Sequence, residues 1–544
     1  MCVENRIKEV YEAHKKSGLY DDSFENSIFR LTNAYDSFYL AAQRDLIAQA
    51  KGPSPRYQAN DDFDHFDDYR HAYRACIKFV CEDCKHGAFA NWISFKDIEK
   101  FQQEMRETTG FNLIRNAIDQ YKASKYSAKV VDSKLCFTRN RGNRELVYEL
   151  YSRHIADEIP GGKNNKDLFD VSSFTLMLLG LSTKELSFES KKLFKPSKPV
   201  LKGTIQDLKK RFASNLSDEI RSLCPATDYS LDQYLSVYCY LAAIGVFKTA
   251  YLLKLKDGNE HLVRPSILYP KERLISDVSD VMEINKELVR IIVKDMTYDF
   301  AFHKDRITLY QPLFEVGDFI LCSTSMLFFS YVVDKAAKFF DLKGTNKADL
   351  SKYHNYMSEK MNHRMAESLP SRYPNLVVFE NTKLVIENVP QAEVDLLLFD
   401  KDSKTAALIE LKDYSPIDNE WDTKKKDRNI NCAIKSRLEK DKRVVENLDL
   451  FFEQNKVPKE YLDYQFSSLL VTSSYAGGVD IHESIKVLDE HLFYYLLRIH
   501  SGNLKEFLQF VEKGEFFKIL NEQLKEADRR VNYTYKGIIA EVDG

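Results

Sequence analysis

The chain has 544 residues, 44% of them hydrophobic and 30% charged, and a formal net charge of −3. That balance excludes a disordered polymer and a protein that meets nucleic acid through its overall charge, so any such contact needs a local basic patch. The length suits about three or four domains, and the scarcity of Gly (19) and Pro (14) favours helix.

The N-terminal segment Met1–Arg6 lacks the apolar core of a secretory signal, and the 9 cysteines are scattered and odd in number. Reduced thiols and a cytoplasmic setting are expected. Residues 1–195 read as a mainly helical region. Ile7, Val10, Tyr11 and His14 share one helical face, and Phe24 to Ala50 forms a second helix broken by Gly52-Pro53-Ser54-Pro55. The acidic cluster from Asp61 to Asp68 suits a helix entry. Cys76, Cys81, Cys84 and His86 have partial zinc-knuckle spacing without a second ligand pair, so buried thiols are expected. Ser94 to Asp97 starts another helix. Lys129 to Thr138 reads as a strand, Pro160 to Lys166 as a loop that fails the phosphate-binding pattern, and Phe194 to Pro199 as a linker.

Residues 200–345 form a second helical block ending in short strands. Ser230 to Gln233 is a capping box ahead of a buried helix, and Arg273 to Asp299 is another helix. Ile307 to Tyr310, Pro312 to Val316 and Phe319 to Cys322 are short strands. The longest uncharged runs, Gln233 to Phe247 and Phe319 to Val333, reach 15 residues. That is short of the roughly 18 a spanning helix needs, so buried core and no membrane are expected.

From 346 to 505 the pattern becomes that of an α/β domain, followed by a helical tail over 506–544. A helix over Asp349 to Tyr373 precedes a strand or a strand pair over Asn375 to Val385. Leu396 to Phe399 and Ala406 to Ile409 are continuous apolar runs joined by Asp400 to Lys404, which reads as a hairpin inside a sheet covered on both faces. Its matching ends carry Glu393 and Asp395 on one strand and Glu410 and Lys412 on the other, where Glu410 and Lys412 share a face. Unpaired buried charge costs several kcal/mol per ion, on the order of the net stability of a domain. A hard divalent cation resolves the cost, since Mg²⁺ takes one or two carboxylates and several waters.

This stretch resembles the PD-(D/E)xK nuclease superfamily. Asp395, Glu410 and Lys412 match its motif position by position, with Val394 where the motif's name has Pro. The resemblance covers roughly 350 to 500. It implies a restriction-endonuclease-like core with a mixed central sheet, so the fold class expected is multidomain α+β, largely helical before that core. It also implies Asp395 and Glu410 as ligands of Mg²⁺ or Mn²⁺, Lys412 beside the attacking water, and an additional acid from the first core helix, for which Glu359 and Glu367 are the candidates and Glu393 a further one.

A loop from Ser415 to Arg428 leads into a long helix from about Asn429 to Gln454, a strand at Phe466 to Thr472 and a closing helix from His482 to Ser501. The long helix places Ile430, Ile434, Leu438, Val445, Leu448 and Phe452 on an apolar stripe. Between Asp422 and Arg443, nine Lys or Arg (Lys424, Lys425, Lys426, Arg428, Lys435, Arg437, Lys440, Lys442, Arg443) face four acids, a net of +5. All of these except Lys440 are candidates for the phosphate backbone, and Lys435 and Lys442 are also candidates for the site that the resemblance implies. The function expected is metal-dependent hydrolysis of phosphodiester bonds, of DNA first, with RNA compatible with the same chemistry. Members that append such a core to a large unrelated region suggest a bacterial restriction or anti-phage effector. The N-terminal helical region would then serve a protein partner or a homo-oligomer. The alternative is a non-catalytic nucleic-acid-binding or structural subunit.

Overall fold

The computed structural model describes residues 2–50, 66–122, 124–140, 188–190, 193–194, 197–213, 216–225, 228–254, 264–303, 311–328, 332, 336, 339–340, 346–413, 420–473, 485–515 and 530–543. The fold is mixed α/β and divides into two compact units. One comprises Met1–Thr138, Asn165–Leu350 and Arg530–Asp543, and the other Arg139–Asn164, Ser351–Arg529 and Gly544.

In the first unit, helices at Val3–Lys15, Phe24–Ala50, Phe66–Asp83 and Phe95–Lys122 follow the apolar spacing. The capping box expected at Ser230 to Gln233 forms, with bonds of 2.8 and 3.2 Å, and the helix start expected at Ser94 to Asp97 is capped in the same way, with bonds of 2.9 and 3.1 Å. The strand expected at 129–138 is a hairpin, Tyr126–Val131 and Lys134–Arg139, turning at Asp132 and Ser133 with positive φ. Its third and fourth strands come from the far end of the sequence. Ile538–Asp543 runs parallel to Lys134–Arg139 and antiparallel to Arg530–Tyr535. The helical tail expected over 506–544 is therefore corrected: Leu504–Glu512 is helical, but 530–543 is a hairpin. Its apolar residues alternate with period 2, which lays Tyr535, Ile538, Ala540 and Val542 against Val10, Phe111 and Ile114.

Three further readings of this unit change. The boundary expected near 195–200 does not separate compact units. Lys198–Phe212 is a helix with Pro199 in its first turn, where a missing N–H leaves no bond unmade. The helix expected from Arg273 to Asp299 is two, Lys271–Met282 and Lys286–Met296. Glu283 turns left-handed between them and Asn285 caps the second by accepting the Glu287 N–H at 2.8 Å. Ile267–Pro270 joins Phe319–Cys322 and Leu313–Val316 in one antiparallel sheet. The helix Leu231–Lys254 holds a 23-residue span long and apolar enough to cross a membrane, longer than the uncharged run because it includes Asp232 and Lys248; most of it is buried in the protein. Residues 61–65, 160–166 and 307–310 lie outside the described set.

The second unit is built as helix, three strands, two helices, two strands and two helices. These are α1 (Lys347–Arg372, entering from the first unit), β1 (Leu376–Ile386), β2 (Val389–Asp400), β3 (Thr405–Lys412), α2 (Glu420–Glu446), α3 (Leu448–Asn455), β4 (Gln465–Thr472), β5 (Lys486–Asp489), α4 (Glu490–Ile499) and α5 (Leu504–Glu512). The sheet order is β5-β4-β3-β2-β1. β1, β2 and β3 are antiparallel neighbours, while β3, β4 and β5 run parallel. Such a mixed sheet needs cover on both faces. Met361, Met365, Leu496 and Phe507 cover one, packing on Leu396, Leu398, Ile409 and Val471. On the other, Ile430 and Ile434 pack on Leu470 and Val487, and Val444, Phe451 and Phe452 on Leu397, Phe399 and Leu408.

The turn between β2 and β3 is organised by buried Asp400. Its carboxylate accepts from Asn375 Nδ2 (2.9 Å), Asp402 N (3.0 Å), Ser403 Oγ (2.5 Å) and Leu504 N (3.0 Å). The outer edge of β1 is closed by side chains in place of a strand. Asn455 and Gln454 each donate to and accept from the backbone of Lys383 and Val385, at 2.7–2.9 Å.

Two expected boundaries move here. The loop expected over 415–428 gives way to helix from Glu420, and the long helix breaks at Asn447 into α2 and α3. The closing helix starts later, because Lys486–Asp489 pairs with β4 before Asp489 caps α4 by accepting the Leu492 N–H at 3.0 Å.

Candidate active site

The β2–β3 ladder ends at the pair Leu396–Ile409, and the same register sets Asp395 across from Glu410. The Leu411 N–H, which a longer ladder would turn to the β2 backbone, is taken by Asp395 Oδ2 at 2.7 Å. A carboxylate thus replaces a carbonyl at the point where the strands part. On the other side of Asp395, the pairs Glu380–Leu396 and Thr382–Val394 set Asn381 opposite it, in left-handed backbone with φ 52°.

Two cations hold Glu410. Lys412 Nζ lies 2.7 Å from Oε1, and Arg437 donates to Oε2 at 3.0 Å. Arg437 is fully buried on α2. It also donates to the Glu393 carbonyl at 3.1 Å and forms an ion pair with buried Asp441, one helical turn on. Lys440 adds to the positive field at Glu410. Burial and the neighbouring charge of Glu410 push Asp395 up to about 6. Burial acts to raise Glu410 too, but Lys412 and Arg437 outweigh it and hold that carboxyl below its usual range. Burial raises Asp441 against the pull of Arg437. The two facing carboxylates therefore differ: Glu410 stays ionised, and among the described residues Asp395 has one backbone N–H and no cation as hydrogen-bond partner.

The other expected residues divide. Glu359 and Glu367 are exposed, and Glu367 pairs with His363 at 3.1 Å. α1 reaches this row through buried Asn362, whose Nδ2 donates to Asn381 Oδ1 at 2.9 Å. Glu393 is exposed and pairs with Lys383 at 3.3 Å, so its carbonyl takes part where its carboxylate does not. Arg428, Lys435, Lys442 and Arg443 are exposed on α2, with Lys442 3.8 Å from Glu446 and Arg443 donating to Gln391 at 3.0 Å. Lys426 is half-buried, and the side chains of Lys424 and Lys425 lie outside the described set.

Arg437 is the correction within the basic run, because a fully buried guanidinium tied to Glu410 and Asp441 is not a phosphate contact. Spacing signals its place: 430, 434, 437, 441 and 444 follow the helical period and are all buried, while Leu438 and Val445 of the expected stripe are 37% and 50% exposed.

Among the described residues, no group of three or more His, Cys, Asp or Glu side chains is arranged to hold a metal ion. In the cysteine cluster of the first unit, burial pushes Cys76 and Cys81 up to about 12, Cys84 Sγ donates to the Leu19 carbonyl at 3.7 Å, and His86 Nδ1 lies 2.8 Å from Glu25. The Asp395–Glu410 pair has the donor chemistry of a hard divalent cation. Asp395 Oδ1 accepts no hydrogen bond among the described residues, and Mg²⁺ or Mn²⁺ needs one or two such oxygens and completes its shell with water. No family model, no curated protein and no solved structure matches the chain.

Proposed function

We propose that the chain is a metal-dependent phosphodiesterase with a restriction-endonuclease-like core, acting on nucleic acid and on DNA first. One observation carries the reading: Asp395 and Glu410 face each other where the central ladder ends, with Lys412 two residues further and 2.7 Å from Glu410. The order of helix, three strands, two helices and strand from Lys347 to Thr472 supports it. A bound Mg²⁺ or Mn²⁺ would supply an acidified water and offset charge on the phosphoryl oxygens. Asp395 and Glu410 would hold it, and Lys412 would stabilise the charge developing on the phosphate. The exposed lysines of α2 bind the backbone without reading sequence.

The test is incubation of the purified protein with plasmid, linear and single-stranded DNA and with RNA, each with Mg²⁺, Mn²⁺ or chelator. Metal-dependent cleavage of any of them supports the reading, and silence across all arms together with no Mn²⁺ uptake defeats it. The second reading, a nucleic-acid-binding or structural module, is favoured by one feature. Glu410 is already neutralised by Lys412 and Arg437, so the fold does not need a cation there. Binding of DNA without Mn²⁺ uptake or cleavage selects it.

The basic face has its own expected result. Lys435→Glu with Lys442→Glu weakens DNA binding across all sequences and flattens the log–log salt slope by about one for each phosphate that is no longer neutralised. Binding measured from about 50 to 200 mM salt decides it. An unchanged affinity and slope would show that this face only meets solvent.

A further inference from the structure

We propose that Arg437 is a positioning residue for the Asp395–Glu410 pair, pinning one carboxylate oxygen of Glu410 so that the other is the one presented to a cation. The inference rests on the cation-binding reading above. Beyond Leu396–Ile409, no backbone pair among the described residues ties β2 to β3. Arg437 Nη1 spans that opening, donating to the Glu393 carbonyl on β2 at 3.1 Å and to Glu410 Oε2 on β3 at 3.0 Å. Asp441 holds the same guanidinium from α2. One side chain therefore fixes the helix and both strand ends that carry the carboxylates. It leaves Glu410 Oε1 with Lys412.

Stability alone is a poor account of this pair. Ile430, Ile434 and Val444 make the rest of the buried stripe apolar, and buried ion pairs are often no better for stability than apolar residues of similar volume. Two charges kept at 437 and 441 fit a task of placement. A planar guanidinium with several fixed donors can serve three acceptors at once, which an ammonium on a flexible stem does less well. Ligand-orienting partners of this kind typically change metal affinity about 10–100-fold when removed.

The experiment compares the full chain with Arg437→Lys and with the double variant Arg437→Met, Asp441→Leu, which removes both buried charges together. Mn²⁺ binding is measured by calorimetry without substrate, alongside melting and a crystal structure of each protein. The double variant is expected to melt close to the parent, well above Arg437→Met alone, and to bind Mn²⁺ about 10–100-fold more weakly, with the affinity of Arg437→Lys in between. A double variant that folds and binds Mn²⁺ like the parent overturns the proposal. If the double variant does not fold, Arg437→Lys decides, and parental Mn²⁺ affinity there overturns it equally. If the parent itself takes up no Mn²⁺, the cation reading fails on its own account and the clamp is judged from the crystal structures. A Glu410 carboxylate and Glu393 carbonyl that stay where the parent has them overturn it, and their separation upholds it.

Discussion

Asp395→Asn is expected to abolish cleavage and, in the absence of metal, to make the protein more stable. The amide keeps the shape and still accepts the Leu411 N–H that Asp395 Oδ2 takes at 2.7 Å, so the strand ends should hold. What is lost is a charged ligand, and the rate should fall at least about 10²–10³-fold, the scale of losing one charge-stabilising group. The stability gain follows from the raised carboxyl. Asp395 titrates at about 6 in the folded protein and at about 3.9 in the unfolded chain. Between those values the folded state keeps a proton that the unfolded state has released, so stability falls as pH rises through the window and stays low above it. Asn cannot ionise, so at pH 8 the variant should be more stable by roughly 1–3 kcal/mol, an advantage that vanishes near pH 4. Saturating Mn²⁺ should reverse the order, because the parent alone gains binding energy. Urea titrations at pH 4 and 8, with and without Mn²⁺, read all three. A variant that still cuts, or a parent that Mn²⁺ does not stabilise relative to it, removes Asp395 from the site.

Replacing Arg437 alone should have the largest effect on the fold. Arg437→Met leaves Glu410 without one cation and Asp441 buried without its partner, and breaking a buried pair from one side typically costs about 3–5 kcal/mol. For a unit of this size, that lowers Tm by roughly 6–20 °C. Adding Asp441→Leu should restore most of the loss, because the stranded charge goes with it. Calorimetric melting of the two variants is the check. A single variant as stable as the parent would mean that Asp441 is neutral and the pair contributes nothing; a double variant as unstable as the single one would mean that packing at 437, not charge, was at stake.

The placement of Asp395, Glu410 and Lys412 at adjacent strand ends was legible because a strand's side-chain period is 2 and the turn residues fix the register. Once Asp400 and Thr405 pair, the facing of Asp395 and Glu410 follows by counting. Arg437 and Asp441 were not legible by the same route. On a helix, chemistry sorts a charged residue to the wet face, which draws the apolar stripe through Leu438 and Val445. The backbone period decides otherwise and turns 437 and 441 inward, where each neutralises the other. β5 is hidden because four residues leading straight into a helix carry too little pattern to stand alone, and only β4 supplies the partner that makes them a strand. On α1, chemistry and placement do not coincide: Glu359 and Glu367 face solvent, while the buried polar residue that reaches Asn381 is Asn362.

The hairpin at Arg530–Asp543 has a consequence for synthesis. Tyr535 meets His14 at 2.9 Å across 521 residues of sequence, and Phe111, Ile118 and Leu135 close over Ile538 and Ala540. Residues 351–529 emerge from the ribosome before that hairpin exists. The second unit has its sheet in one continuous stretch and can fold as it appears, as domains generally do. The first cannot finish its four-stranded sheet until residues 351–529 have been translated, and its pairing of 540–542 with 135–137 closes a very long loop, the slow kind to close. A nascent chain should therefore carry a finished Asp395–Glu410 site while the first unit still exposes part of its core to chaperones, and release of the hairpin from the exit tunnel sets the moment at which that core can close.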